Sequence, residues 1–318
     1  MSLHSAFLFW LTISESFFCA QIATDLELSF VLDRVEYIDR EPIFLEVTVL
    51  NKGNETVKFG PIKESNYLWL DCEDKAGKKI KIFRNSVYDA PPLEFFVELA
   101  PGKSHKMWFD LRSHYIGLGT TGDFAAQLVW EAEIYDPKSK RTVIRQHRSK
   151  LFGLHVIPPR GDDTEAVNLV KATMKKPDQL KPDGDLFGWQ GPIFYLDKKL
   201  CTSILGTKSD RFKAAVLYYR GEKNLSDADW RGGDSKYLGA AIQDFTSCKE
   251  SKGSSQYLKG LCDYNLLVCK EFDLKGPKNK DKALAEFREM AQRIQRDYPN
   301  TAIADKSHSL LKKYEPKK

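Results

Sequence analysis

A chain of 318 residues that is 42% apolar and 12% aromatic has enough hydrophobic surface for two ordinary domains without metal or disulfide support, which excludes a disordered protein. The formal charge of +5 is unevenly held: residues 160–318 carry 30 Lys and Arg against 23 Asp and Glu, and residues 1–159 carry 19 against 21. The positive charges are mixed with acids, and the densest runs, KGPKNKDK and LKKYEPKK, are too short to track a phosphate backbone, so no nucleic-acid partner is expected.

The apolar run from Ala6 to Ile13 has the length of the hydrophobic region of a secretory leader, far short of the ~20 residues that a bilayer span needs. Residues 1–20 are therefore read as a signal peptide, although no Lys or Arg precedes the run. Ala20 suits the cleavage position and Ser14-Glu15-Ser16 offers a second. The other reading is an apolar helix that stays attached. Ser16-Phe17-Phe18 before Cys19 is a poor signal for lipid attachment. The expectation is an exported chain, in the periplasm or cell envelope if bacterial and otherwise secreted, with no membrane span. Beyond the leader lie Cys72, Cys201, Cys248, Cys262 and Cys269. Five cannot all pair within one chain, and neither CxxC nor a His near the last three offers a zinc pattern, so small buried side chains are expected.

From Asp25 the apolar residues alternate. Leu26, Leu28, Phe30 and Leu32 share one face, as do Leu45, Val47 and Val49, and DFAAQLVWEAEIY holds the period from Phe124 to Ile134. Asn51-Lys52-Gly53-Asn54, Lys75-Ala76-Gly77-Lys78, Pro101-Gly102 and Asp136-Pro137 supply turns. Short strands with frequent turns and no helical stretch predict an antiparallel β-sandwich over residues 25–158. YIDREPIFLEVTVLNKGNETVKF resembles the opening of bacterial immunoglobulin-like domains, and LAPGKSHKMWFDL and GDFAAQLVWEAEI resemble their later strands. The resemblance implies a fold and a role in adhesion or partner contact, and no catalytic residue.

After Pro158-Pro159 the period changes to three and four. TEAVNLVKATMKK, IFYLDKKLCTSIL, DRFKAAVLYYRG, KYLGAAIQDFTSCKE, SSQYLKGLCDYNLLVCKEF, KDKALAEFREMAQRIQRDY and TAIADKSHSLLKKY predict seven amphipathic helices over residues 160–318, joined by segments such as DADWRGGDS and DLKGPKNKD. The fold class is thus all-β followed by all-α. Ala241/Phe245 recurs as Ala283/Phe287, and Phe212, Ala215, Val216, Tyr219 recurs as Tyr257, Gly260, Leu261, Tyr264. These helical hairpins resemble tetratricopeptide repeats, with Pro299 closing a repeat and the helix from Ala302 as a cap. The resemblance implies a groove that binds a protein partner. If the matched positions pack, Lys213 and Leu217 on one helix and Leu258 and Cys262 on the other turn toward the inner face, with Arg220 and Asn265 one turn further on. Such a groove suits an acidic or extended peptide.

Catalytic grammar is sparse. Gly117 to Gly122 matches GxGxxG but leads into a strand, where a dinucleotide site opens a helix. Asp227, Asp229 and Gly232 lack the spacing of a calcium loop, and the histidines form neither HExxH nor a partner set for GxSxG. The aromatic residues Phe187, Trp189, Phe194 and Tyr195 suit inter-domain packing or a sugar-stacking surface. No cofactor, metal or enzymatic activity is expected. The sequence points to an exported non-enzymatic scaffold or adaptor, with a glycan-binding or protease-inhibitory protein of the envelope as the alternative.

Overall fold

Among the described residues the alternation seen in the sequence folds into ten strands, and the three-and-four periodicity into seven helices. The structure is a computed structural model and describes residues 26–60, 68–79, 96–110, 121–173, 198–274 and 280–315. The leader at 1–20, the aromatic run at 187–195 and most of the glycine-rich stretch at 117–122 lie outside these residues.

β1 (Leu26–Leu32), β3 (Phe44–Asn51) and β7 (Ser104–Asp110) form a three-stranded antiparallel sheet in that order, with β3 central. The larger sheet is organised by β8 (Gly122–Asp136). Along one edge β8 pairs with β10 (Phe152–Ile157) and then β9 (Arg141–Arg148). Along the other it pairs with β5 (Leu68–Asp74) and then β4 (Val57–Phe59). β6 (Val97–Leu99) extends the sheet beyond β4. Ser149 bridges the gap between β9 and β10, donating its N–H to Leu128 O at 2.9 Å while its hydroxyl accepts Leu128 N–H at 3.0 Å.

The two inner faces supply one core. Leu28, Leu45, Val47, Val49 and Met107 from the small sheet meet Phe59, Leu70, Phe124, Leu128, Trp130 and Leu154 from the large one. The sheets are not wholly antiparallel as the sequence suggested: β2 (Tyr37–Ile38) runs parallel to β10. A two-residue strand in a polar loop carries no periodicity from which its partner could be read.

The helices are α1 (Asp163–Thr173), α2 (Lys198–Gly206), α3 (Asp210–Trp230), α4 (Ser235–Glu250), α5 (Gln256–Asp273), α6 (Lys280–Asp297) and α7 (Ala302–Lys312). Side chains of Ser209, Asp234, Ser255 and Thr301 cap α3, α4, α5 and α7 by accepting first-turn amides that have no intrahelical partner. The break at Pro299 is a turn in which Asn300 takes the left-handed conformation (φ 60°), and Thr301 then starts α7. Contrary to the expected linker, α3 continues through DADW to Trp230, because nothing breaks the helix before Gly232 and Gly233, whose φ values of 69° and 92° turn the chain.

From α3 onward each helix packs on the next, and α5 also touches both α3 and α7, so these three form one layer. Small residues allow the close approaches. A Cβ on Gly221 would lie 2.7 Å from the Phe245 ring, and one on Gly260 would lie 2.8 Å from Ile303 and 2.9 Å from Tyr298. Phe212, Val216, Ala241, Phe245, Phe287, Ala291 and Ile294 complete the helical core, fully buried. Among the described residues no helix is long and apolar enough to cross a membrane.

Candidate functional site

Alternation on β3 and β7 dictates a second, outward face on the small sheet. With Leu45, Val47 and Met107 in the sandwich core, Phe44 and Glu46 on β3 and Lys106 and Trp108 on β7 point the other way. A free sheet would give this face to water. Here it is covered by the layer of α3, α5 and α7. Phe44 is buried in the helical core, edge-on to Tyr218 at 5.5 Å and stacked on Tyr219 at 6.0 Å. Trp108 meets the Tyr264 ring edge-on at 5.3 Å, and the Lys306 ammonium lies 3.7 Å from its ring centroid, a cation–π contact.

Polar groups tie the same seam. Glu46 accepts the Ala302 N–H at 2.5 Å, at the start of α7, where unpaired amides and the helix dipole favour an anion. Asp33 accepts the Tyr37 hydroxyl at 2.7 Å and the Phe44 N–H at 3.2 Å, and also bonds Ser255, the cap of α5. Glu41 accepts the Ile38 N–H at 2.8 Å and pairs with Arg34 at 3.3 Å and with Arg211 of α3 at 3.2 Å. Asp39 pairs with Lys171 of α1 at 2.6 Å. Arg34 donates to the Gly253 carbonyl between α4 and α5, and Lys106 to the Asn300 carbonyl between α6 and α7.

Four carboxylates of the sandwich thus reach four helices of the second half. Ion pairs to such buried carboxylates add little net stability, because desolvation offsets the attraction. Their effect is to fix one orientation of the sheet on the helices. Burial raises the carboxyl groups of Asp33 and Glu46 above the usual range. For Asp33 the bonds from Tyr37 and Ser255 oppose this, and for Glu46 the Ala302 N–H does. Burial, reinforced by the charges of Glu46 and Asp33, pushes the Tyr257 phenol upward.

The six residues expected to line a groove do not share one surface. Leu258, Cys262 and Asn265 of α5 are buried, the first two at 3% and 0% exposure within the helical core. Register is the reason: α5 turns Tyr257 and Tyr264 toward the sheet and the following residues into the contacts with neighbouring helices. On α3, Lys213 and Leu217 are half-buried and Arg220 is exposed. Lys213 and Arg220 lie about 160° around the helix from Arg211 and Tyr218, which face the sheet, so they occupy the outer side. The Arg220 guanidinium grips Asp244 of α4 through two bonds of 2.9 and 2.5 Å, and Asn224 adds a third donor at 3.1 Å. The Asp244 bond holds Arg220 above its ordinary pKa.

Sequence reasoning missed the covered face. The signal was present in the outward set of FLEVTVLN and SHKMWFD: a Phe and a Trp on the side of a strand that alternation assigns to solvent. Among the described residues no group of three His, Cys, Asp or Glu is placed to hold a metal ion. His105 and His147 sit largely inside the sandwich, where burial lowers both, and His155 is an exposed partner of Asp123.

No protein-family model matches the chain, and no curated protein does. Solved structures with local likeness include a structural-genomics target, SoR45, at 13% identity and a TM-score of 0.25, covering 41% of this chain and 86% of the other. The sporulation control protein Spo0M of Bacillus subtilis is 13% identical with a TM-score of 0.25, covering 46% of this chain and 55% of its own. A fragment of native alpha-2-macroglobulin from Escherichia coli is 12% identical with a TM-score of 0.24, covering 92% of this chain and 55% of that fragment. At such scores these likenesses carry no argument about activity.

Proposed function

We propose that this chain is an exported scaffold without enzymatic activity, in which an immunoglobulin-like sandwich clamps an array of tetratricopeptide-like hairpins and leaves the outer side of that array to a protein partner. The observation that supports the reading is the seam itself. The layer of α3, α5 and α7, which would line the groove of such an array, is taken by the chain's own sheet through Phe44, Trp108 and the carboxylates Asp33, Glu41 and Glu46. A partner must then use a surface other than that groove. The outer side of α3 offers Lys213 and Leu217 beside Arg220, whose charge is held in place by Asp244, a combination suited to an acidic, partly apolar segment.

The test is Lys213→Glu. Arg220 is left intact because removing it would strand a buried Asp244. The variant should melt as wild type does and lose the partners that co-purify with wild type from the native host. An unchanged partner set at unchanged stability overturns the reading. Glycan arrays and protease-inhibition assays, blank for a scaffold, separate it from an envelope glycan-binding or inhibitory protein. N-terminal sequencing of the native chain tests export: an intact Met1 recovered from the cytoplasm would remove that element.

A further inference from the structure

Among the described residues five cysteines are free and all are buried, and two of them lie on facing helices. Cys248 lies near the end of α4 and Cys262 in the second turn of α5, on successive helices joined only by residues 251–255. Both are 0% exposed in one core cluster, on helices that pack against each other, seven residues before and seven after Ser255 in the antiparallel hairpin, and each thiol perturbs the other's titration. The Cys248 sulfur is fixed from two further sides, by the Ala214 carbonyl at 3.2 Å and the Ser254 hydroxyl at 3.6 Å, while Ser254 itself donates to the Cys248 carbonyl at 2.5 Å. Cys72 lies apart in the sandwich core. Cys269 projects from α5 two turns beyond Cys262, and Cys201 belongs to α2.

We propose that Cys248 and Cys262 are a latent disulfide site, a staple between α4 and α5 that closes wherever the chain folds in contact with a disulfide oxidant. The step is a double exchange with a small-molecule disulfide. One protein thiolate attacks that disulfide and expels the first small thiolate. The other protein thiolate attacks the resulting mixed disulfide and expels the second. Both protein sulfurs are oxidised, the small disulfide is reduced to two thiols, and the two protein protons end on them. Burial keeps the reaction out of the finished fold. It raises the Cys262 thiol and leaves neither sulfur open to reagent, so the bond forms while the α4–α5 hairpin is still open. The proposal is independent of whether the chain is exported, because it concerns which sulfurs pair and not where.

The experiment is refolding of the reduced, denatured full chain in a mixture of reduced and oxidised glutathione, followed by alkylation and digestion without reductant. Trypsin releases Cys248 in the peptide from Tyr237 to Lys249, and Cys262 together with Cys269 in the peptide from Gly260 to Lys270. The expected product is these two peptides joined with loss of two hydrogens, and a free-thiol count two below that of the reduced chain. Cys269→Ser, digested in parallel, should retain the joined pair, which assigns it to Cys262. Only free or glutathione-capped thiols at Cys248 and Cys262, or a bond from either to another cysteine, would overturn the proposal. The wild-type digest decides the matter even if a substituted chain fails to fold.

Discussion

Replacing Phe44 by Ala discriminates sharply between a docked and an independent pair of halves. If the sandwich stood alone, Phe44 would occupy the solvent face of β3 and its truncation would change stability by less than about 0.5 kcal/mol. In the structure its ring is 4% exposed and lies against Tyr218 and Tyr219 of α3. Loss of a buried Phe ring costs about 3–5 kcal/mol. For a unit of this size each kcal/mol lowers the melting temperature by about 2–4 °C, so a fall of about 6–20 °C is expected. Thermal melts followed at the helical circular-dichroism band and by tryptophan emission should move together. A shift under about 2 °C, or a loss confined to one probe, would refute the docked arrangement at this residue.

Gly221→Ala should destabilise by up to about 2 kcal/mol, since overpacking at 2.7–3.0 Å from the buried Phe245 ring, at about 1–3 kcal/mol, outweighs the roughly 1 kcal/mol of helix propensity gained. Gly239→Ala, with nothing within 4 Å of the added carbon, should stabilise, and chemical denaturation of both variants checks the contrast. Because burial raises the Glu46 carboxyl above 4.5, the docked fold binds its proton more tightly than the open chain does. The stability tied to that proton is therefore present in acid and lost as pH rises through the raised value. Glu46→Gln keeps an acceptor for the Ala302 N–H, so its melting temperature relative to wild type should climb with pH above 4.5, and a flat difference across a pH series would contradict the assignment.

The division into strands and helices was legible because each half has one dominant buried face: Leu45, Val47 and Val49 repeat at two, and Phe212, Val216 and Tyr219 at three and four. Helix starts at Ser209, Asp234, Ser255 and Thr301 have an equally local cause, a side chain that accepts the first-turn amides of the helix it precedes. The seam was not legible. Phe44 and Trp108 look like isolated aromatics on a polar face until α3 and α5 are placed over them, and Glu46 looks like ordinary surface charge until Ala302, 256 positions later, donates to it. Helical periodicity located the helices but not their rotation, which is why Leu258 and Cys262 proved to be core residues and Lys213 faces outward.

Cross-linking the folded chain with a short lysine-reactive reagent, followed by mass spectrometry, tests the account most directly. Lys106 on β7 donates to the Asn300 carbonyl, and Lys306 on α7 lies over Trp108, two residues along the same strand. The covered sheet face requires a Lys106–Lys306 link within single chains, formed in the native state and lost on denaturation. Links confined to each half, with none between β7 and α7, would show that the sheet does not cover the helices and would contradict the account at its centre.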